Sequence, residues 1–151
     1  MVQQLIGELT LLFNPRNEKF DHLDACSRDI MEKTIAFFET KGKAGIKDDD
    51  HERRWYADFL TFVKENKIFA TLLTPPDFTD NPDARWDTYR NCVFNEILGF
   101  YGLAYWYTWQ VTILGLGPIW MSPNARIKQR TADLIDDGGI FGFGLSEKAH
   151  G

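Results

Sequence analysis

The chain has 151 residues, of which 44% are hydrophobic and 26% are charged. This is the composition of a single globular domain, and it excludes collagenous, disordered and repeat-array chains. With 17 basic and 22 acidic residues the formal net charge is −5, which argues against sequence-independent nucleic-acid binding because that activity needs a basic surface. Aromatic residues reach 15%, and large rings of this kind are mostly buried in soluble proteins.

Apolar residues at three- and four-residue steps predict helices in the first half of the chain. The spacing is weak over residues 1–13 and clear over residues 20–41, where Gly42 follows as a stop signal. The acidic stretch at residues 42–51 is expected to be a solvated loop, since it lacks the full pattern of a calcium loop. The next helix is expected over residues 52–66, with an extension up to the two prolines at positions 75 and 76.

The central part of the chain carries no charge at all between Glu96 and Arg126. A window this long raises the question of a membrane span. However, it contains several glycines, and its tyrosine and tryptophan rings lie near its middle, whereas membrane helices place such rings at the two interfaces. We therefore expect a buried central helix that is apolar on most sides and forms core or lines a pocket. A last helix is expected after Ser122-Pro123 and ends at Gly138-Gly139.

Few residues of the sequence form patterns typical of catalytic, metal-binding or disulfide sites. Cys26 and Cys92 lie far apart in helical patterns, so buried free thiols are expected rather than a disulfide. The three histidines are isolated, and no metal-ligand spacing, phosphate-binding loop or nucleophile elbow is found, so no metal is expected. The N-terminus lacks the basic region and cleavage site of a secretory signal, and a cytoplasmic protein is therefore expected.

The helical spacing of apolar residues stops near the C-terminal end of the sequence. Residues 140–145 alternate bulky side chains with glycine and predict a strand. A single strand after several helices has no neighbour to satisfy its backbone hydrogen bonds. We therefore expect further strands to follow downstream of this sequence.

Residues 143–151, Phe-Gly-Leu-Ser-Glu-Lys-Ala-His-Gly, resemble the motif that acyl-CoA dehydrogenases write as aromatic-x-[VL]-[ST]-E-P-x-A-G-S-D. In that family the motif lies where the N-terminal helical domain passes into the middle β-domain. Upstream, Asn95-Glu96-Ile97-Leu98-Gly99 resembles the E-x-x-G end of a family helix. The other matching positions are Pro118, Asn124 and Lys128, in the stretch usually written G-x-x-x-Q-K, and Gly138-Gly139, where the family has G-E.

Two positions depart from the family motif. Lys148 replaces the usual proline, and His150 stands where a small residue is common. This version resembles a longer bacterial branch of the family that is common among actinobacterial fatty-acyl dehydrogenases. The resemblance covers the whole chain loosely and residues 95–151 more tightly.

The resemblance implies an all-α fold: an N-terminal helical bundle domain over residues 1–139. Residues 140–151 are expected to start the middle β-domain, of which only the first strand is present. We therefore expect the chain to be an N-terminal fragment of a longer enzyme. Because the family carries its catalytic glutamate in a C-terminal domain, no residue of this chain is expected to be catalytic, and the chain alone is expected to be inactive.

The family uses FAD to oxidise a fatty acyl-CoA to the trans-2-enoyl-CoA. A flavin needs hydrogen-bond donors at its N1–C2=O edge, where negative charge gathers on reduction. The resemblance implies that Leu145 and Ser146 contact this edge and that Phe143 packs near the ring. Gly151 would begin the turn that approaches the pyrophosphate, since glycine allows close backbone contact.

The resemblance also implies which residues meet the substrate. The wall of the acyl-chain tunnel is expected to include Trp106, Tyr107, Gln110 and Leu114. For the intact enzyme it implies an electron-transferring flavoprotein as partner, a homo-oligomer and no membrane span, although an acyl-CoA oxidase that uses oxygen has the same architecture.

Two other classes of function stay open. One is a stand-alone helical binding or interaction module with an aromatic hydrophobic pocket. The other is a small membrane-associated protein, which rests on the uncharged window alone. The sequence downstream of Gly151 distinguishes the enzyme from the binding module.

Overall fold

The computed structural model describes residues 13–144 and 148–149. Helices dominate this part of the chain, and no strand is found in it, so the predicted all-α class is confirmed for these residues. The six α-helices are α1 (Ala25–His51), α2 (Ala57–Glu65), α3 (Ile68–Leu73), α4 (Thr88–Tyr101), α5 (Leu103–Met121) and α6 (Ala125–Asp136). Short 3-10 turns lie at Pro15–Asn17 and Pro76–Phe78.

Helix α1 begins later and ends later than the sequence pattern predicts. Its N-cap is Asp24, whose carboxylate accepts a hydrogen bond from the Ser27 backbone N–H at 2.9 Å. Gly42 (φ 70°, ψ 159°) has a non-helical backbone and divides α1 into two helical segments at a kink, as its predicted role as a stop signal requires. The expectation of a loop after it was wrong, because residues 43–51 form the second helical segment.

A contact across the kink accounts for this difference. The ammonium group of Lys41, just before the kink, forms ion pairs with Asp49 after it and with Asp58 in α2. The two carboxylates fix the second half of α1 against the first half and against α2. Lys41 and Asp49 are eight residues apart and Asp58 lies in the next helix, so the three- and four-residue spacing of apolar side chains does not show these contacts.

The predicted helix over residues 52–66 starts late and stops where expected. Residues 52–56 form a turn in which Arg53 has a left-handed backbone (φ 50°), and α2 begins at Ala57. A second left-handed residue, Lys67 (φ 53°), separates α2 from α3. The predicted extension towards the prolines is therefore a separate short helix, and all six of its residues are buried.

Helices α4 and α5 form an antiparallel hairpin around Gly102. The Trp106 indole N–H donates to the Asn95 side chain, and the rings of Phe94 and Trp109 lie 4.7 Å apart between centroids. Pairs at these positions converge on the junction, which is the geometry of two antiparallel helices. Trp109 is fully buried, so the hairpin carries the centre of the core.

Aromatic rings from four helices meet at the centre of the core, which also contains many aliphatic side chains. Tyr105 of α5 packs edge-on against Phe38 of α1 at 5.0 Å and against Phe59 of α2 at 5.2 Å. Phe69 of α3 contacts Trp109 at 5.2 Å. Tilted and edge-to-face rings stabilise a core beyond the area that they bury. This packing accounts for much of the aromatic content of the sequence.

The strand predicted over residues 140–145 is not formed across residues 140–144, which have no regular secondary structure. A strand needs a neighbour for its backbone groups, and the described residues supply none. The Phe141 N–H instead donates to the Thr112 hydroxyl of α5 at 3.4 Å. Leu145 lies outside the described residues.

Two further expectations concern the cysteines and the membrane. Both cysteines are free, but neither is buried: Cys26 is half-buried and Cys92 is exposed, because their positions face outwards on α1 and α4. In the part of the chain that the structure describes, no helix has the length and apolarity required to cross a membrane.

Candidate functional site

Helix α5 has two apolar faces, and only one of them is covered. The inner face is buried in the core through Tyr105, Thr108, Trp109, Thr112 and Leu116. The opposite face, here called the outer stripe, carries Leu103, Tyr107, Leu114 and Met121 at helical steps of four and seven, with exposed fractions of 70%, 59%, 43% and 88%. The expected burial on most sides was therefore wrong for this face.

The residues predicted to wall an acyl-chain tunnel lie on or beside this stripe. Tyr107 and Leu114 belong to it, and Gln110 lies between them and is half-buried. Trp106 is half-buried and is held by its hydrogen bond to Asn95. Tyr107, Gln110 and Leu114 thus lie on the outer side of α5, where Tyr107 and Leu114 are exposed, and Trp106 lies beside them against α4.

The tail crosses α5 at Gly115 and Thr112, and Thr112 belongs to the buried inner face of this helix. A Cβ atom built on Gly115 would lie 2.7 Å from the Gly142 carbonyl oxygen and 2.9 Å from the Phe141 Cβ. Such distances leave room only for glycine, so Gly115 is what allows the tail to lie directly on the helix. The Phe141 hydrogen bond to Thr112 fixes the same crossing from the neighbouring turn.

One of the four residues predicted to contact flavin can be placed. Phe143 follows the crossing, and its side chain is 45% exposed. Leu145, Ser146 and Gly151 lie outside the described residues. Their predicted roles stay predictions.

A second feature, here called the basic cleft, was missed by the sequence analysis. It is a cleft of about 710 Å³ between residues 43–56 and residues 101–105. Lys43, Lys47 and Arg53 are among its cationic side chains, and Trp55 and Leu103 are among its exposed apolar ones. The missed signal is the four-residue spacing of the two lysines, which is typical of one face of a helix.

Ion pairs beside the cleft hold charges in fixed positions. Burial disfavours the charged form of Lys41, but hydrogen bonds to Asp49 and Asp58 outweigh it and raise the pKa of Lys41. Tyr101 also lines the cleft. Burial and the hydrogen bond from its hydroxyl to Glu39 (2.6 Å) raise the pKa of Tyr101. Neither group is poised to exchange a proton near neutral pH, so the structure gives them a positioning role.

Metal chemistry finds no support in the part of the chain covered by the structure. Within residues 13–144 and 148–149, no group of three or more histidine, cysteine or acidic side chains is arranged to hold a metal ion. The features that remain for a functional site are therefore apolar and cationic surfaces: the outer stripe, the tail crossing and the basic cleft.

Comparisons with known proteins add no family assignment. No protein-family model matches the chain, and searches of curated proteins and of solved structures found no match.

Proposed function

We propose that this chain forms the helical, acyl-binding part of a flavin-dependent acyl-CoA dehydrogenase, which oxidises a fatty acyl-CoA to the trans-2-enoyl-CoA. The observation that carries the proposal is the motif at residues 143–151, which follows a helix and Gly138-Gly139 as it does in that family. Gly138 adopts a positive φ of 86° directly after α6, so the chain turns sharply before the motif begins.

The contact between the tail and α5 supports this proposal. In such an enzyme the reacting carbons of the acyl chain must touch the flavin, so the flavin-contacting segment and the acyl-binding helix must be neighbours. Gly142 packs on Gly115, and Phe141 hydrogen-bonds to Thr112. Gly115 directly follows Leu114 along α5, whereas Thr112 lies on the inner face, so the tail lies against the inner side of the helix that carries the outer stripe.

Each proposed contact has a physical reason. Bound FAD supplies the acceptor for the hydride that leaves the substrate. Ser146 offers a hydroxyl donor, and the backbone N–H of Leu145 is a second donor for the flavin pyrimidine edge. The exposed ring of Phe143 is available to pack against the flavin, as the proposal requires.

The outer stripe is proposed to meet the acyl chain. Tyr107 and Leu114 are exposed apolar side chains on a helix face without charge, which suits a surface that excludes water from the reacting carbons. Trp106 and Gln110 lie beside them, and the bulk of the indole would limit how deep an acyl chain reaches. The facing walls of such a tunnel would come from other domains of the enzyme.

The test uses the intact polypeptide encoded by the reading frame that contains residues 1–151. We expect Ala-Asp or Ser-Asp shortly after Gly151, then a strand-rich stretch. The purified polypeptide should contain flavin, and its absorbance should bleach when a saturated acyl-CoA is added. A stop codon directly after Gly151, or an intact protein that binds no flavin, would contradict the proposal.

A substitution in the intact enzyme tests the wall separately. Trp106→Ala should shift kcat/KM towards longer acyl-CoA substrates, because the smaller side chain leaves room for more methylene groups. Trp86→Ala is the matched control, since Trp86 is 37% exposed and lies outside the outer stripe. Equal chain-length profiles for the two variants would contradict the assignment of Trp106.

The second candidate is a stand-alone helical module that binds an apolar partner. The exposed outer stripe supports it as well, since contiguous apolar surface marks interaction sites. The two candidates differ in the tail: the enzyme needs residues 143–151 for flavin, whereas the module does not. Loss of flavin from the intact protein on Ser146→Pro, with the fold of the helical part retained, favours the enzyme.

A further inference from the structure

We propose that the basic cleft is a binding site for a single-chain fatty carboxylate. The cleft shares Leu103 with the outer stripe but includes none of the four residues predicted to wall the acyl-chain tunnel. The cleft is built by three parts of the chain: the second half of α1, the turn at residues 52–56 and the start of α5. Its volume of about 710 Å³ is within the range of small-molecule sites.

Charge complementarity indicates an anionic ligand. Four cationic and two acidic side chains line the cleft, a net charge of +2 in a chain whose formal net charge is −5. One lining residue of each sign is committed to ion pairs, because Asp49 pairs with Lys41 and Arg54, and Arg54 also pairs with Glu52. Among the described residues, no carboxylate forms an ion pair with Lys43, Lys47 or Arg53.

The apolar lining indicates that the anion carries a hydrocarbon chain. Trp55 is 62% exposed and stacks on Tyr56 with 4.3 Å between ring centroids, and Leu103 is 70% exposed. Ile46 closes the cleft on the α1 side, where a Cβ on Gly102 would lie 3.9 Å from its Cγ2. Exposed side chains of this size gain from covering by an apolar ligand.

The kink in α1 brings the cationic and apolar side chains of the cleft together. Gly42 turns the helix so that Lys43 and Lys47 lie on the cleft, and Lys41 locks the new direction through Asp49. The left-handed backbone of Arg53 then places a third cation on the turn that closes the helix end. A carboxylate head would be held by these cations while its chain lies along Trp55 and Leu103.

The site is independent of the proposed dehydrogenase function. It needs neither flavin nor the tail motif, and its three cations lie in α1 and the following turn. Fatty-carboxylate binding by the full 151-residue chain can therefore fail while the intact polypeptide still binds flavin, and the reverse is equally observable.

The experiment is titration of the full chain with decanoate, below its micelle concentration. Binding is followed by calorimetry and by the indole N–H signal of Trp55 in an NMR spectrum. We expect one decanoate per chain and a shift of the Trp55 signal. Decyltrimethylammonium, which has the same chain and the opposite charge, should bind at least about tenfold more weakly.

Arg53→Gly removes one cation without disturbing the fold, because glycine adopts a left-handed backbone more easily than arginine. Its matched control is Lys67→Gly, which removes the same charge at another left-handed position outside the cleft. We expect decanoate to bind about tenfold more weakly to the first variant and unchanged to the second. The double variant Lys43→Gln, Lys47→Gln should weaken decanoate binding by a similar factor. The control double variant Lys64→Gln, Lys67→Gln, which lies outside the cleft, should leave decanoate binding unchanged.

Several results would overturn the proposal. One is equal affinity of the cleft variants and their controls, and another is equal binding of the cationic amphiphile. Binding of many decanoate molecules per chain would show adsorption to apolar surface instead of a site. Tighter binding of adenosine monophosphate than of decanoate, or binding only to anionic vesicles and not to free decanoate, would assign the cleft to a different ligand.

Discussion

The guanidinium group of Arg90 in α4 donates a hydrogen bond to the backbone carbonyl of Thr71 in α3, 2.6 Å away, while Arg90 itself is only 1% exposed. The same group donates to the carbonyl of Asp83 at 3.2 Å, to that of Arg85, and to the Ser27 hydroxyl at 3.3 Å. A buried cation thus joins α1, α3, α4 and the loop between the last two. Burial and the nearby charge of Arg85 lower the pKa of Arg90, which shows that its charge is held at a cost.

Arg90→Met should lower the free energy of unfolding by about 2–4 kcal/mol, because several buried acceptors lose their donor. Chemical denaturation of the full chain measures this. Arg130→Met is the control, since Arg130 is exposed on α6 and should change stability by less than about 0.5 kcal/mol. If the two variants unfold alike, the hydrogen bonds of Arg90 do not stabilise the fold.

Asp24 gives the fold a dependence on pH. Its burial raises the pKa of the carboxyl, but the hydrogen bonds from Arg85 and Ser27 outweigh burial and hold that pKa well below its usual range. A depressed pKa means that Asp24 stabilises the fold above the ordinary aspartate range and that this stabilisation is lost as the pH falls towards the lowered value.

The expected outcome is that Asp24→Asn loses stability at pH 7 relative to the wild type, and that the difference narrows at pH 3. Asparagine keeps the helix cap, so the change isolates the charge. Denaturation midpoints at the two pH values measure it. A gap between wild type and variant that is as wide at pH 3 as at pH 7 would show that the charge of Asp24 is not responsible.

The kink in α1 depends on Gly42. Its backbone (φ 70°, ψ 159°) lies in a region that is open almost only to glycine, so Gly42→Ala should cost about 1–3 kcal/mol although nothing lies within 4 Å of the new methyl group. Gly45→Ala is the matched control in the same helix. Since Gly45 is helical, alanine there should stabilise the fold by about 0.5–1 kcal/mol. Opposite signs of the two changes, read from thermal unfolding, are the expected result.

The tail crossing depends on Gly115. Gly115→Ala should displace residues 141 and 142, because its methyl group would lie 2.7 Å from the Gly142 carbonyl oxygen. The specific readout is hydrogen exchange at the Phe141 amide, which should lose the protection that the Thr112 hydroxyl provides. Gly99→Ala in α4 is the control, as nothing lies within 4 Å of its added atom. Unchanged exchange at Phe141 in both variants would contradict the crossing.

Local patterns predicted the helices well where one face is buried and a cap is present. Residues 20–41 gave the first part of α1, and the two prolines after Thr74 correctly marked the end of the helical region that contains α3. The largest error concerns residues 43–51, which were expected to be an acidic loop and form helix, with the ammonium group of Lys41 paired to Asp49 across the kink.

In the candidate sites, too, some features follow from the sequence and others follow only from the packing. The resemblance rests on the order of residues 143–151, and Trp106, Tyr107, Gln110 and Leu114 follow from counting along the chain. Only the packing of α5 shows that Tyr107 and Leu114 are exposed on the outer stripe. It also shows that the tail lies on Gly115. A helix without charge gives no pattern from which its inner and outer faces can be told apart.

The helical class, the ends of α2 and α3 and the uncharged aromatic helix at the centre follow from the sequence, because these depend on residue types and short spacings. Only the tertiary structure decided which face of α5 is covered, how Gly42 redirects α1 and where three cations meet two exposed apolar side chains. Such features depend on how separate segments pack against one another, which the spacing of residues within one segment does not specify. The described residues form a packed helical core that leaves the outer stripe and the basic cleft open.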